Sequence, residues 1–140
     1  MGENELLIVG NGVDLNIGFK TSYADFMKSE YFPKQGSSSL CAYLSSVKRR
    51  NMGWIDIEKE LANYSKGLSE MKLNTKADKE KWGTETFRRE YEELKESLKF
   101  YLQNETNRTF NVRCNCNAVR VLNQLQNGGK IISFNYTDTM

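Results

Sequence analysis

The sequence predicts an α/β fold: an incomplete parallel sheet with a large helical insertion between its two recognisable strands. Three observations predict it. A short apolar run, Leu6-Leu7-Ile8-Val9, breaks abruptly into Gly10-Asn11-Gly12. A second apolar run, Ile131 to Phe134, lies near the other end of the chain. Between them the apolar residues recur at helical spacing, and strands separated by helices favour parallel pairing through crossovers over a hairpin. A parallel sheet normally buries both faces under helices, so two strands alone are a weak foundation. The chain is therefore expected to be the N-terminal part of a longer protein, cut short after its second strand.

Each element has its own local signal. Leu6 to Val9 is a compact strand closed by glycine. Val13 to Ile17 reads as one or two helical turns ended by Gly18, a residue suited to the left-handed cap. Thr21 or Ser22 caps a second helix whose apolar face is Tyr23, Phe26 and Met27, with Asp25 three residues after Ser22 as a weak capping box. Pro33 and the loop to Ser39 end it. Leu40 to Arg49 places apolar residues at 40, 43, 44 and 47, a 3.6-residue period. Trp54, Ile57, Leu61, Tyr64 and Leu68 continue that spacing. "MKLNTKADKEKWGTE" is polar and reads as a loop or a helix start. Phe87, Tyr91, Leu94, Leu98, Tyr101 and Leu102 form one side of a long helix whose charged residues make the solvated face. A last helix turns Val119, Leu122 and Leu125 inward and stops at Gly128-Gly129, before the strand Ile131 to Phe134.

Composition narrows the class. The chain has 140 residues, 39% hydrophobic and 27% charged, as a single soluble globular domain would. A net charge of +2 carries no strong pull toward nucleic acid or anionic lipid. No run approaches the roughly 20 apolar residues that span a bilayer, and the N-terminus lacks the basic start and apolar stretch of a signal peptide. A cytoplasmic protein is expected. Cys41, Cys114 and Cys116 make an odd set for disulfides, and without any histidine a poor zinc site, so reduced thiols and no metal are expected.

The two strand ends concentrate the chemistry. In open α/β sheets ligands gather beyond the carboxyl ends of strands. Gly10-Asn11-Gly12 lets the backbone turn sharply and approach a ligand closely, as a pyrophosphate cradle would. It is equally a tight strand-to-helix turn with no ligand, because the third glycine of the dinucleotide fingerprint is missing. Asp14 fits a sugar hydroxyl or the amides of its own turn. Asn135, Tyr136, Thr137, Asp138 and Thr139 crowd hydrogen-bonding groups at the second strand end, suited to a ribose, a water or an ordinary helix cap. Glu58 and Glu60 read as surface acids. Without histidine, Ser-His-Asp and Cys-His nucleophile systems are excluded within these residues.

"LLIVGNGVDLNIGFKTSYADF" and "IISFNYTDT", with "WIDIEKEL" between them, resemble the AbiH family of bacteriophage abortive-infection proteins. The resemblance spans the chain and implies the N-terminal part of a family member. Val13 and Phe19-Lys20 depart from the residues common there. The AbiH pattern is in turn similar to the sirtuin-like NAD-binding domains of phage-defence enzymes. That similarity implies a Rossmann-like, sirtuin-like core at residues 5–30 and 118–140, with the helical insertion at about 40–117. It further implies NAD or a related nucleotide as ligand, with Gly10, Asn11, Gly12 and Asp14 on the nucleotide side. Thr21, Tyr23, Asp25 and Phe26 would close over it, Tyr136, Thr137 and Asp138 would complete the site, and Asn135 would orient an attacking water. The implied roles are NAD glycohydrolysis in a full-length protein, or sensing of a nucleotide or phage-derived trigger without chemistry. Those enzymes add a histidine base that this chain lacks, so the 140 residues alone are expected to be inactive.

Overall fold

The computed structural model describes residues 6–34, 36–50, 56–108, 116–124 and 129–134. Among them the chain runs β1 (Leu6–Val9), α1 (Gly12–Ile17), α2 (Tyr23–Phe26), α3 (Ser39–Arg50), α4 (Ile57–Glu70), α5 (Lys76–Trp82), α6 (Thr84–Asn107), α7 (Asn117–Gln124) and β2 (Lys130–Ser133). The two strands pair in parallel, Leu6 opposite Lys130 and Val9 opposite Ser133. Phe134 N donates to Val9 O beyond the last pair, at 2.9 Å.

The expected Rossmann-like, sirtuin-like sheet is overturned. The described residues are mainly helical, and their sheet is two strands of four residues each. The physical reason lies in the long middle segment. From α3 to α6 it is filled with Leu, Glu, Lys, Ser and aromatic residues at helical spacing, and no third β-branched run interrupts them. The parallel pairing of the two apolar runs was correctly anticipated; the sheet built on it was not.

The chain forms two compact units, Met1–Ser22 with Leu102–Met140, and Tyr23–Tyr101. In the first, Val9, Ile17 and Leu102 are buried together with the polar Asp14, Thr21 and Glu105. Alternation along the strands splits the sheet unevenly. Val9 is buried, whereas Leu6, Ile8, Ile132 and Phe134, which share the opposite face, are exposed. Gly18 ends α1 at φ 115°, and its N–H returns to Asp14 O. Only glycine adopts that left-handed conformation without steric cost.

In the second unit Phe26, Leu40, Cys41 and Leu44 are fully buried, each large side chain contributing roughly 1.5–3 kcal/mol. Phe26 meets Phe32 edge-on at 5.4 Å and Tyr101 at 5.5 Å. Tyr43, Tyr64, Phe87 and Tyr91 meet in series across α3, α4 and α6, the first two pairs tilted and the last stacked. The N-terminus of α3 is closed by side chains. Ser38 Oγ accepts from Cys41 N, and the buried Glu90 of α6 accepts from Ser39 N and Leu40 N. Those amides have no intrahelical acceptor, and a carboxylate there also meets the positive end of the helix dipole. Asp56 caps α4 by accepting from Lys59 N. In α5, Thr75 and Asp78 form a full capping box, turning a polar stretch into a helix. Cys41 is buried and Cys116 half-buried, both as free thiols. Trp54 and Cys114 lie outside the described residues, as do the side chain of Leu122 and all of Leu125.

Candidate functional site

β1 ends at Val9, and the chain turns with Val13 N donating to Gly10 O at 3.0 Å before α1 begins at Gly12. Asn11 occupies the cap position of α1 without capping it. Its side chain is turned to Thr21 instead: Asn11 Nδ2 donates to Thr21 O at 3.0 Å, and Thr21 Oγ1 donates to Asn11 Oδ1. This reciprocal pair ties the glycine turn to the loop after α1. Glu105 holds the same loop from α6, accepting from Lys20 N at 2.8 Å while paired with Arg108 at 2.7 Å. A carboxylate this deeply buried is stable only with such partners.

A cleft of about 380 Å³ opens beside the turn. One side is β1 and the turn itself, from Leu7 through Gly10 to Gly12. The other is Val13 and Asn16 of α1 facing Asn117, Ala118 and Val121 of α7. Asn16 Oδ1 accepts from Ala118 N at 3.1 Å, so one side chain both lines the cleft and closes the first turn of α7. A Cβ at Gly10 or Gly12 would meet no atom within 4 Å, and neither glycine has a positive φ.

The residues singled out in the sequence are distributed as follows. Gly10 and Gly12 line the cleft, and Asn11 and Thr21 brace it through each other. Asp14 is fully buried and is not part of the cleft wall. Tyr23, Asp25 and Phe26 belong to the second unit, where Tyr23 donates to Glu58 at 3.1 Å and Phe26 is core. Asn135, Tyr136, Thr137 and Asp138 lie outside the described residues. Glu58 and Glu60, read as surface acids, each accept from a tyrosine hydroxyl, Tyr23 and Tyr43.

Sequence reasoning missed Asn16, Asn117, Ala118 and Val121, which build the α7 side of the cleft. It also missed Glu105. For Glu105 a signal existed, since it falls one helical step after Tyr101 on the apolar stripe of α6. Among the described residues no group of three or more potential metal ligands occurs, and no helix is long and apolar enough to cross a membrane.

The fold and the cleft define a mainly helical protein with a glycine turn at the carboxyl end of a short parallel sheet. The family model described as "Bacteriophage abortive infection AbiH" matches residues 6–140, and the chain belongs to that family. No curated protein and no solved structure matches it.

Proposed function

We propose that this AbiH-family protein serves abortive infection by binding NAD or a related nucleotide over the Gly10–Gly12 turn. One observation carries the reading. Neither backbone conformation nor packing requires glycine at positions 10 and 12, because both lack a positive φ and both face open space. Main chain left bare in this way, at the mouth of a cleft, is open to close approach by a ligand. The cleft volume also falls within the roughly 300–1,000 Å³ usual for small-molecule sites. In this reading Asn11 and Thr21 act as braces. Cleavage of the glycosidic bond would have Asn135 orienting the water, a base supplied from outside these 140 residues, and the site binding the transition state better than the substrate.

Calorimetric titration of NAD and ADP-ribose into wild type and Gly12→Val tests the binding step. Saturable binding to the wild type, at least about tenfold weaker in the variant, is expected from crowding of the approach. Equal affinity for both proteins would leave the glycines with a role in the turn alone.

A second reading, sensing of a nucleotide or a phage-derived trigger without chemistry, is favoured by the absence of histidine from the 140 residues. Nicotinamide release separates the two readings, since only the first includes bond cleavage.

A further inference from the structure

The cleft beside the glycine turn has walls more selective than a general nucleotide site requires. Its hydrophobic surfaces come from Leu7, Ile8 and Val9 of β1 and from Val13, Ala118 and Val121, and its polar side chains are two carboxamides, Asn16 and Asn117. Among the described residues no lysine, arginine, aspartate or glutamate lines it. The nearest basic residue along the sheet is Lys130, paired with Leu6 at the opposite end of β1 from Gly10. Val9 lies three steps along the strand from that pair, a distance on the order of 10 Å.

A diphosphate drawn into such a cleft would lose its hydration and find no cation to replace it. A heterocyclic base meets the opposite situation. Its faces are apolar and match the aliphatic surfaces of β1, α1 and α7, while its edge carries donors and acceptors that a carboxamide complements. Asn16 is already oriented for this, because its Oδ1 is held by Ala118 N. The amino group of the same carboxamide is then the end that donates to a ring nitrogen or carbonyl.

We infer that the cleft takes the flat, uncharged base of the nucleotide, with the phosphates lying outside it over Gly10–Gly12. This rests on the nucleotide-binding reading and adds which part of the ligand enters. The affinity then comes from the base, and a nucleoside without phosphate is a sufficient ligand.

Adenosine, ribose 5-phosphate and ADP-ribose, titrated into the 140-residue chain by calorimetry, provide the test. Ala118→Leu and Val121→Phe fill the cleft from α7 without touching the glycine turn, and circular dichroism establishes which variants remain folded. Adenosine is expected to saturate the wild type and to compete with ADP-ribose, while ribose 5-phosphate gives no heat at the same concentrations. Each folded variant is expected to bind adenosine about tenfold more weakly. Binding of ribose 5-phosphate and ADP-ribose without adenosine would overturn the inference and leave the nucleotide reading standing. Adenosine binding undiminished in a folded variant would also overturn it, by placing the base elsewhere. No binding of any of the three compounds would remove both readings together.

Discussion

At the scale of single residues, the glycines near the N-terminus answer to different constraints, and substitution separates them. Gly18 sits at φ 115°, where any Cβ is strained. Gly18→Ala is expected to cost about 1 kcal/mol in a urea titration, with no direct effect on a ligand at the cleft. Gly12 has no such strain and opens the first turn of a helix, where glycine is a poor choice. Gly12→Ala should therefore raise stability by about 0.5 kcal/mol while weakening nucleotide binding. Loss of stability with unchanged binding would show that the turn itself needs this glycine. The sequence announced Gly18 correctly, because a glycine after a short apolar helix has one common use. It could not assign Asn11 and Thr21, because their bonds to each other span ten residues of chain and depend on how the loop folds back.

At the scale of elements, α6 was legible as a long amphipathic helix, but two of its acids carry more than its solvated face. Glu90 and Glu105 fall along the apolar stripe marked by Phe87, Leu94, Leu98 and Tyr101, and both are buried on backbone amides of other segments. An acid on an apolar stripe is the pattern to look for, since burial without such donors is too costly. Glu90→Ala should strand the Ser39 and Leu40 amides and cost about 2–4 kcal/mol by urea denaturation, with Glu90→Gln roughly halfway. An equal, small effect of both would mean water satisfies these amides. The same cluster sets an alkaline limit. Burial, aided by nearby Glu90 and Cys41, pushes the Tyr64 hydroxyl up to about 12. Burial likewise raises the Cys41 thiol above its usual 9.0, and burial with the bond to Glu60 raises Tyr43 above 10.0. The fold thus favours the protonated forms, so their contribution is complete below the unfolded values and is lost as pH rises from about 9 to about 12. The thermal midpoint should fall across that window, and Tyr64→Phe should remove the upper part of the fall. A midpoint independent of pH there would show that these groups ionise freely in the folded protein.

For the whole molecule, local periodicity identified most helices, and the two apolar runs identified the parallel pair. The fold class fails one level higher: the Rossmann-like sheet rests on a resemblance, and two apolar runs do not supply its further strands. Strand count needs further apolar runs, and the segment between the two strands spends its apolar residues on helix faces instead. Half of the cleft was illegible for a related reason: α7 meets α1 across about a hundred residues, joined by Asn16 and Ala118. The cleft so assembled also bears on the chemistry of these 140 residues. Cleaving the bond between nicotinamide and ribose calls for a positioned base and for groups that stabilise developing positive charge on the sugar. Among the described residues no titratable side chain lines the cleft, Asp14 beside the turn is fully buried, and the sequence contains no histidine. General-base help alone is typically worth on the order of 10²–10⁴ in rate. Purified chain incubated with NAD is therefore expected to release nicotinamide no faster than a protein-free control, even where calorimetry shows the nucleotide bound. Asn135→Ala is the decisive companion, because its side chain is the one proposed to orient the water. Release above the control that disappears in Asn135→Ala would show that these residues hold a working site, with a base outside the cleft wall.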